Sequence, residues 1–186
     1  MRDVLRVSRA PIIASHSSAF SLAHTTRNVP DDVLKSVAKN RGVVMVNFYP
    51  LYIADEAAKR VNDMFAFYRK LQKDESLSEE EKDKRMDEYD QEYPIPPTTV
   101  KTVVDHIEHI IKVAGIEHVG IGSDYDGISA VPKQLDDVSM FPYITQEMLN
   151  RGYNEADIRK VLGENFMRAF RAAERVSREI QSGQSN

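Results

Sequence analysis

The sequence predicts an α/β fold in which short parallel strands alternate with helices. Three short apolar stretches, at residues 11–16, 42–48 and 119–124, each end in polar side chains. Buried parallel strands are near-continuous apolar runs, and side chains at their carboxyl ends line the sites of α/β barrels. Helical sequence separates the three stretches, which is the repeating unit of an α/β barrel or an open sheet.

Helical spacing predicts the elements between and after these strands. A first helix opens at Pro30, because proline suits a first turn, and it ends before Gly42. The clearest helix covers residues 99–114, where apolar side chains recur at i, i+3, i+4 and i+7. Two short helices precede a last one at residues 164–179. Its predicted apolar side consists of Phe166, Ala169, Phe170, Ala173 and Val176.

The pattern changes between residues 50 and 97, which we interpret as a charged helical insertion. Apolar residues at helical spacing predict one helix from Asp55 to Lys73. Residues 74–93 are dense in Glu, Asp and Lys, and Ser78 followed by three glutamates is a helix start. Charge runs are usually solvated faces, so we expect a solvated helix or a partly disordered excursion. A metal-binding acidic cluster is the less favoured alternative.

Composition bounds the class of protein. The 186 residues suffice for one domain. The net charge of −4 does not indicate a basic surface that binds nucleic acid. The chain has no cysteine, which removes disulfides and a thiol nucleophile, and no apolar run approaches the ~20 residues of a membrane span. A three-stranded parallel sheet leaves edges that need covering, so we expect the C-terminal portion of a larger barrel. A small complete domain is the alternative.

Three residues at predicted strand ends could carry chemistry. His16 suits a zinc ligand, because neutral imidazole is a good donor to Zn²⁺, or else hydrogen bonds to nearby backbone. Arg27 could clamp a carboxylate with its forked guanidinium, or be an ordinary surface arginine. Asp124 and Asp126 alternate at a strand end, so they should point in opposite directions and only one can face the site. We expect Asp124 to face the site, where it can bind a metal, exchange a proton or hold an ammonium group, and Asp126 to form a turn with Gly127.

Other motifs are weaker. His106 and His109 lie three apart on the strong helix, but they flank its apolar stripe away from the strand ends, which favours packing or solvent over a metal. Gly120-Ile121-Gly122 lacks the rest of a dinucleotide fingerprint. The serines beside His16 lack the context of a nucleophile elbow.

Taken together, the motifs resemble the membrane (renal) dipeptidase family of zinc metallopeptidases. The resemblance extends over nearly the whole chain except the charged insertion, and its ordered string of motifs is specific. The matching segments are residues 8–19, 27–32, 44–48, 105–110, 120–127 and 163–166.

The resemblance implies a (β/α)8 barrel, of which this chain would supply the last three strands as one partial domain over residues 1–186. It implies two zinc ions and hydrolysis of a dipeptide by a metal-bridging hydroxide. His16 would be a ligand of one zinc, and Arg27 would bind the substrate's C-terminal carboxylate. Asp124 would face the scissile amide and the free amino end, as the proton donor to the leaving nitrogen.

The sequence departs from the family in one large respect. A His-x-Asp pair, a bridging glutamate and another zinc histidine have no counterpart here, so His16 is the one inherited ligand, and we expect the chain alone to be inactive. Another metal-dependent amidohydrolase of the barrel class, or a non-catalytic binding fragment, remain alternatives. A homodimer is left open, as is localisation, because family members are secreted, membrane-anchored or intracellular.

Overall fold

The computed structural model describes residues 1–183, apart from the side chain of residue 62. Its sheet has three parallel strands in the order β1 (Ile13–Ala14), β2 (Val43–Asn47) and β3 (Val119–Ser123). Ile13 pairs with Val43, and the β2–β3 register shifts between Val46 and Asn47. The predicted α/β class is therefore confirmed, and all three strands end at the same edge.

Helices surround the sheet and also form the excursion between β2 and β3. A π-helical turn at Lys160–Glu164 joins the last two. In the described residues the α-helices are α1 (Arg2–Val7), α2 (Asp31–Lys39), α3 (Pro50–Ile53), α4 (Asp55–Ala58), α5 (Val61–Gln72), α6 (Glu79–Glu92), α7 (Val100–Ala114), α8 (Pro142–Asn150), α9 (Glu155–Arg159) and α10 (Asn165–Gln181).

The main core lies between the sheet and helices α2 and α7. Helix α7 supplies the predicted apolar stripe, and Val103, Val104, Ile107 and Ile110 are fully buried. Burial of such side chains contributes about 1.5–3 kcal/mol each. The helix ends at Gly115, whose φ of 97° is a conformation that glycine adopts without strain.

A second, smaller apolar cluster lies beneath the excursion. Its buried members are Tyr49, Leu51, Tyr52, Ala57 and Val61.

Helices α5 and α6 form a hairpin, which we call the insertion hairpin (residues 61–92). Phe67 of α5 stacks on Tyr89 of α6, with ring centres 4.6 Å apart. Ser78 caps α6 through a reciprocal pair of hydrogen bonds with Glu81, so the predicted helix start is confirmed. No helix among residues 1–183 combines the length and apolar character needed to cross a membrane.

Two predicted boundaries were wrong. The first strand is only two residues long, because Pro11 has no N–H and the Asn40 side chain takes the N–H of Ile12 at 2.7 Å. The single helix predicted over residues 55–73 is broken at Lys59 and Arg60. Packing explains the break, since Ala57, Ala58 and Val61 are all buried in the smaller cluster or beside it.

The predicted apolar side of α10 was also partly wrong. Phe170 is 46% exposed, whereas Asn165, Ala169 and Ala172 are buried. The amide of Asn165 donates to the carbonyls of Ile116 and Val119, at 2.6 and 2.8 Å. These bonds fix the rotation of the helix, so a polar residue rather than a phenylalanine sets which face meets the sheet.

Candidate active site

The carboxyl edge of the sheet brings the predicted residues together. His16 follows β1, Asn47 ends β2 and Asp124 follows β3. The Asn47 amide donates to Oδ2 of Asp124 at 2.8 Å, which ties the last two strand ends to each other. Asn47 is itself fully buried, and its Oδ1 accepts the N–H of Tyr49 at 2.5 Å.

Asp124 adopts a left-handed conformation, with φ 82° and ψ 29°, directly after β3. Its carbonyl accepts the N–H of Gly127 at 2.9 Å, which closes a tight turn. A Cβ at Gly127 would lie 2.7 Å from Oδ1 of Asp124, so any side chain there would displace this carboxylate. The alternation argument for Asp124 and Asp126 was therefore wrong, because the strand ends before them. Asp126 lies exposed in the turn.

His16 lies just beyond β1 and is half-buried. Its Nδ1 is 2.8 Å from the hydroxyl of Ser15, a side-chain partner rather than the backbone partner considered from the sequence. Within residues 1–183, no hydrogen-bond partner is found for Nε2. A serine O–H that donates to Nδ1 leaves the proton on Nε2, whereas an accepting serine leaves Nε2 free as a donor to a metal.

Arg27 extends from the loop after β1. Its guanidinium is exposed, and Cζ lies 5.5 Å from the ring centre of Tyr52, close enough for a cation–π contact. Asn28 holds this loop in place: its amide donates to the carbonyls of Ala23 and Tyr52 at 2.9 and 2.7 Å, and its Oδ1 accepts the N–H of Ser18 at 3.0 Å. The loop after β1 is thus attached to the segment after β2.

His106, in the interior, also connects the segment after β1 to the segment after β2. It is 1% exposed, and its Nδ1 accepts the N–H of Ala19 at 3.0 Å. Since Nδ1 accepts, Nε2 carries the proton and donates to the carbonyl of Ile53 at 3.0 Å. Burial lowers the pKa of His106 to about 4, so the ring is neutral at physiological pH.

These contacts of His106 were not predicted from the sequence. Packing or solvent was favoured over a metal for His106 and His109, and His106 is packed in the interior. His109 instead contacts Asp31 and Ser21, each at 2.8 Å from Nε2.

The side chains predicted to carry chemistry line one cavity of about 490 Å³. His16, Arg27 and Asp124 lie on its sheet side, together with Tyr49 and Tyr52. The insertion hairpin forms the opposite wall with Met64, Phe65, Tyr68, Met86 and Asp90, and Gly127 and Ser129 complete the lining.

The hairpin wall was missed from the sequence. Most of α6 is exposed, as expected of a charge run, but Met86 and Asp90 lie four residues apart on one face and reach the cavity. Met86, Tyr89 and Tyr93, at i, i+3 and i+7, were a weak helical signal within that run.

The environment of the cavity favours uncharged forms of several groups. Burial raises the pKa of Tyr49, Tyr52 and Asp90. The charge of Asp124 also raises the pKa of Tyr52, which Arg27 opposes, and the charge of Asp90 raises that of Tyr49. The two tyrosine rings pack edge to face, with ring centres 5.2 Å apart.

The described residues do not by themselves form a metal centre. Across residues 1–183, no three His, Asp or Glu side chains converge as metal ligands. His16 is a single donor, and a zinc site needs three or four.

The fold and this cavity define an α/β protein with a cavity lined by charged and aromatic side chains at the carboxyl edge of its sheet. The sequence model of the membrane dipeptidase family (peptidase family M19) matches residues 1–184. The chain therefore belongs to the membrane dipeptidase family.

Solved structures agree with this assignment. A metallopeptidase from Rhodobacter sphaeroides, liganded with a phosphinate mimic of the dipeptide L-Ala-D-Ala, is 26% identical with a TM-score of 0.68; the match covers 92% of this chain and 38% of that one. The probable dipeptidase PvdM from Pseudomonas aeruginosa is 28% identical with a TM-score of 0.74, over 94% of this chain and 48% of that one. This chain thus spans less than half the length of either structure.

Proposed function

We propose that this chain is the C-terminal part of a (β/α)8 dipeptidase barrel and carries the substrate-holding side of its active site. The observation that carries the proposal is the shared cavity: His16 and Arg27, from the segment after β1, and Asp124, which follows β3, line the same space. Family membership and the dipeptide mimic bound by the Rhodobacter relative support a dipeptide as the ligand.

Arg27 binds the C-terminal carboxylate of the dipeptide in this proposal. Its guanidinium is exposed, so both of its parallel N–H donors are available, and Tyr52 supports it from one face. A planar fork of donors matches a carboxylate in two parallel hydrogen bonds.

Asp124 acts on the amide nitrogen. Asn47 occupies its Oδ2, and Oδ1 has no hydrogen-bond partner among the described residues. Oδ1 is therefore the oxygen that holds the amino end of the substrate. In the full site it would take a proton from the attacking water and pass that proton to the leaving nitrogen.

His16 contributes one donor to a zinc site. One imidazole cannot hold the two zinc ions of the family, so the described residues do not by themselves supply metal-assisted hydrolysis. The remaining ligands belong to the part of the barrel outside this sequence, and the chain alone binds dipeptide without hydrolysing it.

The test combines binding and turnover. The purified chain is titrated with Ala-Ala by NMR, and hydrolysis is followed after addition of zinc. We expect shifts at the Arg27 and Asp124 amides and no turnover. Robust turnover would overturn the inactivity of the chain, and absence of binding would overturn the substrate site.

A further inference from the structure

The insertion hairpin places a carboxylate on the cavity wall opposite the sheet. Asp90 lies on the inner face of α6 and lines the cavity beside Met64, Tyr68 and Met86. Most other acids of this helix are exposed to solvent, whereas Asp90 is half-buried. Its side chain is therefore part of the site rather than of the solvated charge run.

No cationic side chain among the described residues pairs with Asp90. Among residues 1–183, no Lys, Arg or His nitrogen lies within ion-pair distance of its carboxylate. Arg60, which borders the adjoining hollow, instead lies 5.3 Å from the ring centre of Tyr93 and donates to the carbonyl of Pro94 at 3.3 Å. Burial raises the pKa of Asp90, as expected for a carboxylate that loses water without gaining a partner.

The surroundings of Asp90 suit an amphipathic side chain. Met64, Tyr68 and Met86 offer apolar and aromatic surface along the same wall. The side chains of lysine and arginine have an apolar stem and a charged tip, so the stem can lie on such a surface while the tip reaches a carboxylate. Thioethers adapt to stems of different shape, and tyrosine faces attract cations.

Different residues of the cavity are suited to different charged groups of a dipeptide. Arg27 and Asp124 match the two charged termini that every dipeptide has. Both lie close enough to Tyr52 for their charges to shift its pKa. Asp90 lines the cavity from the insertion hairpin, on a different element from either of them. Asp90 is therefore placed to contact a third charge, which only some dipeptides carry.

We infer that Asp90 is a specificity residue that selects dipeptides with one basic side chain, an inference that rests on the proposed dipeptide site. The selecting contacts are an ion pair with Asp90 and stem packing on the methionine and tyrosine wall. Neutral dipeptides use the Arg27–Asp124 end alone and bind more weakly.

Matched ligands test this on the full chain. Binding of Lys-Ala and Ala-Lys is compared by calorimetry with that of norleucyl-alanine and alanyl-norleucine, which keep an unbranched apolar side chain and lack the ammonium group. At one of the two positions the lysine peptide should bind about tenfold more tightly, equivalent to one charge-assisted contact of about 1.4 kcal/mol. Asp90→Asn should remove that preference and leave the binding of the norleucine peptides unchanged.

Asp83→Asn is the matched control. It makes the same charge change seven residues earlier on α6, at an exposed position outside the cavity, and should keep the preference. Equal binding of lysine and norleucine peptides, or a preference that survives Asp90→Asn, would overturn the inference and leave the dipeptide site standing. Failure of all four peptides to bind would overturn the proposed function and the inference with it.

Discussion

Single side chains hold the site in place, and two of the most important are asparagines. Asn47 is fully buried and fixes one oxygen of Asp124, while Asn28 joins the loop of Arg27 to the segment after β2. A buried amide that satisfies both its donor and acceptor atoms specifies one geometry, because any other leaves a polar group unpaired. The exposed Arg27 thus extends from a rigid loop base.

Replacing Arg27 with lysine tests the geometry of the proposed carboxylate clamp. The charge is kept but the two parallel donors are lost, so Ala-Ala should bind to Arg27→Lys about tenfold more weakly. Calorimetric titration measures the change. Arg9→Lys, at another exposed arginine, is the control and should bind as the unaltered chain does. Equal affinity in the Arg27 variant would argue against a forked contact.

Residue-scale prediction from the sequence succeeded where a residue follows a strand. His16 and Asp124 follow strand-like runs, and parallel strands all end at one edge, so their proximity was predictable. Asn28, His106 and Asp90 were missed as parts of the site. Asn28 and His106 act through partners 24 and 53 residues away along the chain, and Asp90 lines the cavity from the insertion hairpin. Spacing along one element carries no information about such long-range neighbours.

At the scale of the element, β3 approaches its neighbours closely at Gly122. A Cβ there would collide with the carbonyl oxygen of Ser15 and would lie 2.6 Å from that of Met45. Both obstacles are backbone atoms, which do not move aside as a flexible side chain does. The glycine therefore allows the ends of β1, β2 and β3 to converge beneath the cavity.

Gly122→Ala should accordingly weaken the sheet. We expect a loss of about 1–3 kcal/mol in the free energy of unfolding, as for other overpacked sites, measured by urea denaturation. Gly120→Ala is the matched control on the same strand, because its Cβ would meet the Met45 side chain at an ordinary 3.5 Å. That variant should stay within about 1 kcal/mol of the unaltered chain. Similar losses in both variants would contradict the argument.

Helices were predictable to the extent that their own periodicity decides their ends. The 99–114 pattern gave α7 (Val100–Ala114) almost to the residue, since its apolar stripe and Gly115 agree. The 55–73 pattern failed at Lys59 and Arg60, where packing into the smaller cluster interrupts a sequence that could continue as a helix. Tertiary packing of this kind lies outside any local pattern.

Across the whole molecule, His106 connects the main core to both loops of the site. Its ring lies on α7 and bonds to the loop after β1 and the segment after β2. The bond from Ala19 requires the neutral ring, because a protonated Nδ1 cannot accept a hydrogen bond, so protonation would break it. The stability of the fold therefore depends on this side chain staying uncharged.

The pH dependence of unfolding follows from the depressed pKa. The pKa of His106 is about 4 in the folded chain and about 6.5 unfolded, so below about pH 6.5 only the unfolded state gains the proton. Stability is fully present above that pH and falls as the pH drops towards 4, by about 2 kcal/mol at about pH 5.

Denaturation at about pH 7.5 and about pH 5 measures this loss. His106→Gln should be less stable at the higher pH but lose about 2 kcal/mol less between the two, because glutamine does not titrate. An unchanged pH dependence in the His106 variant would refute the assignment.

The insertion hairpin enters and leaves the fold between β2 and α7 without contributing a strand to the sheet. The parts proposed to handle the peptide bond are thus encoded apart from the part proposed to read the side chain. A protein engineer could exchange residues 61–92 for another pair of helices and alter which peptides enter, while the framework that presents Arg27 and Asp124 stays as it is.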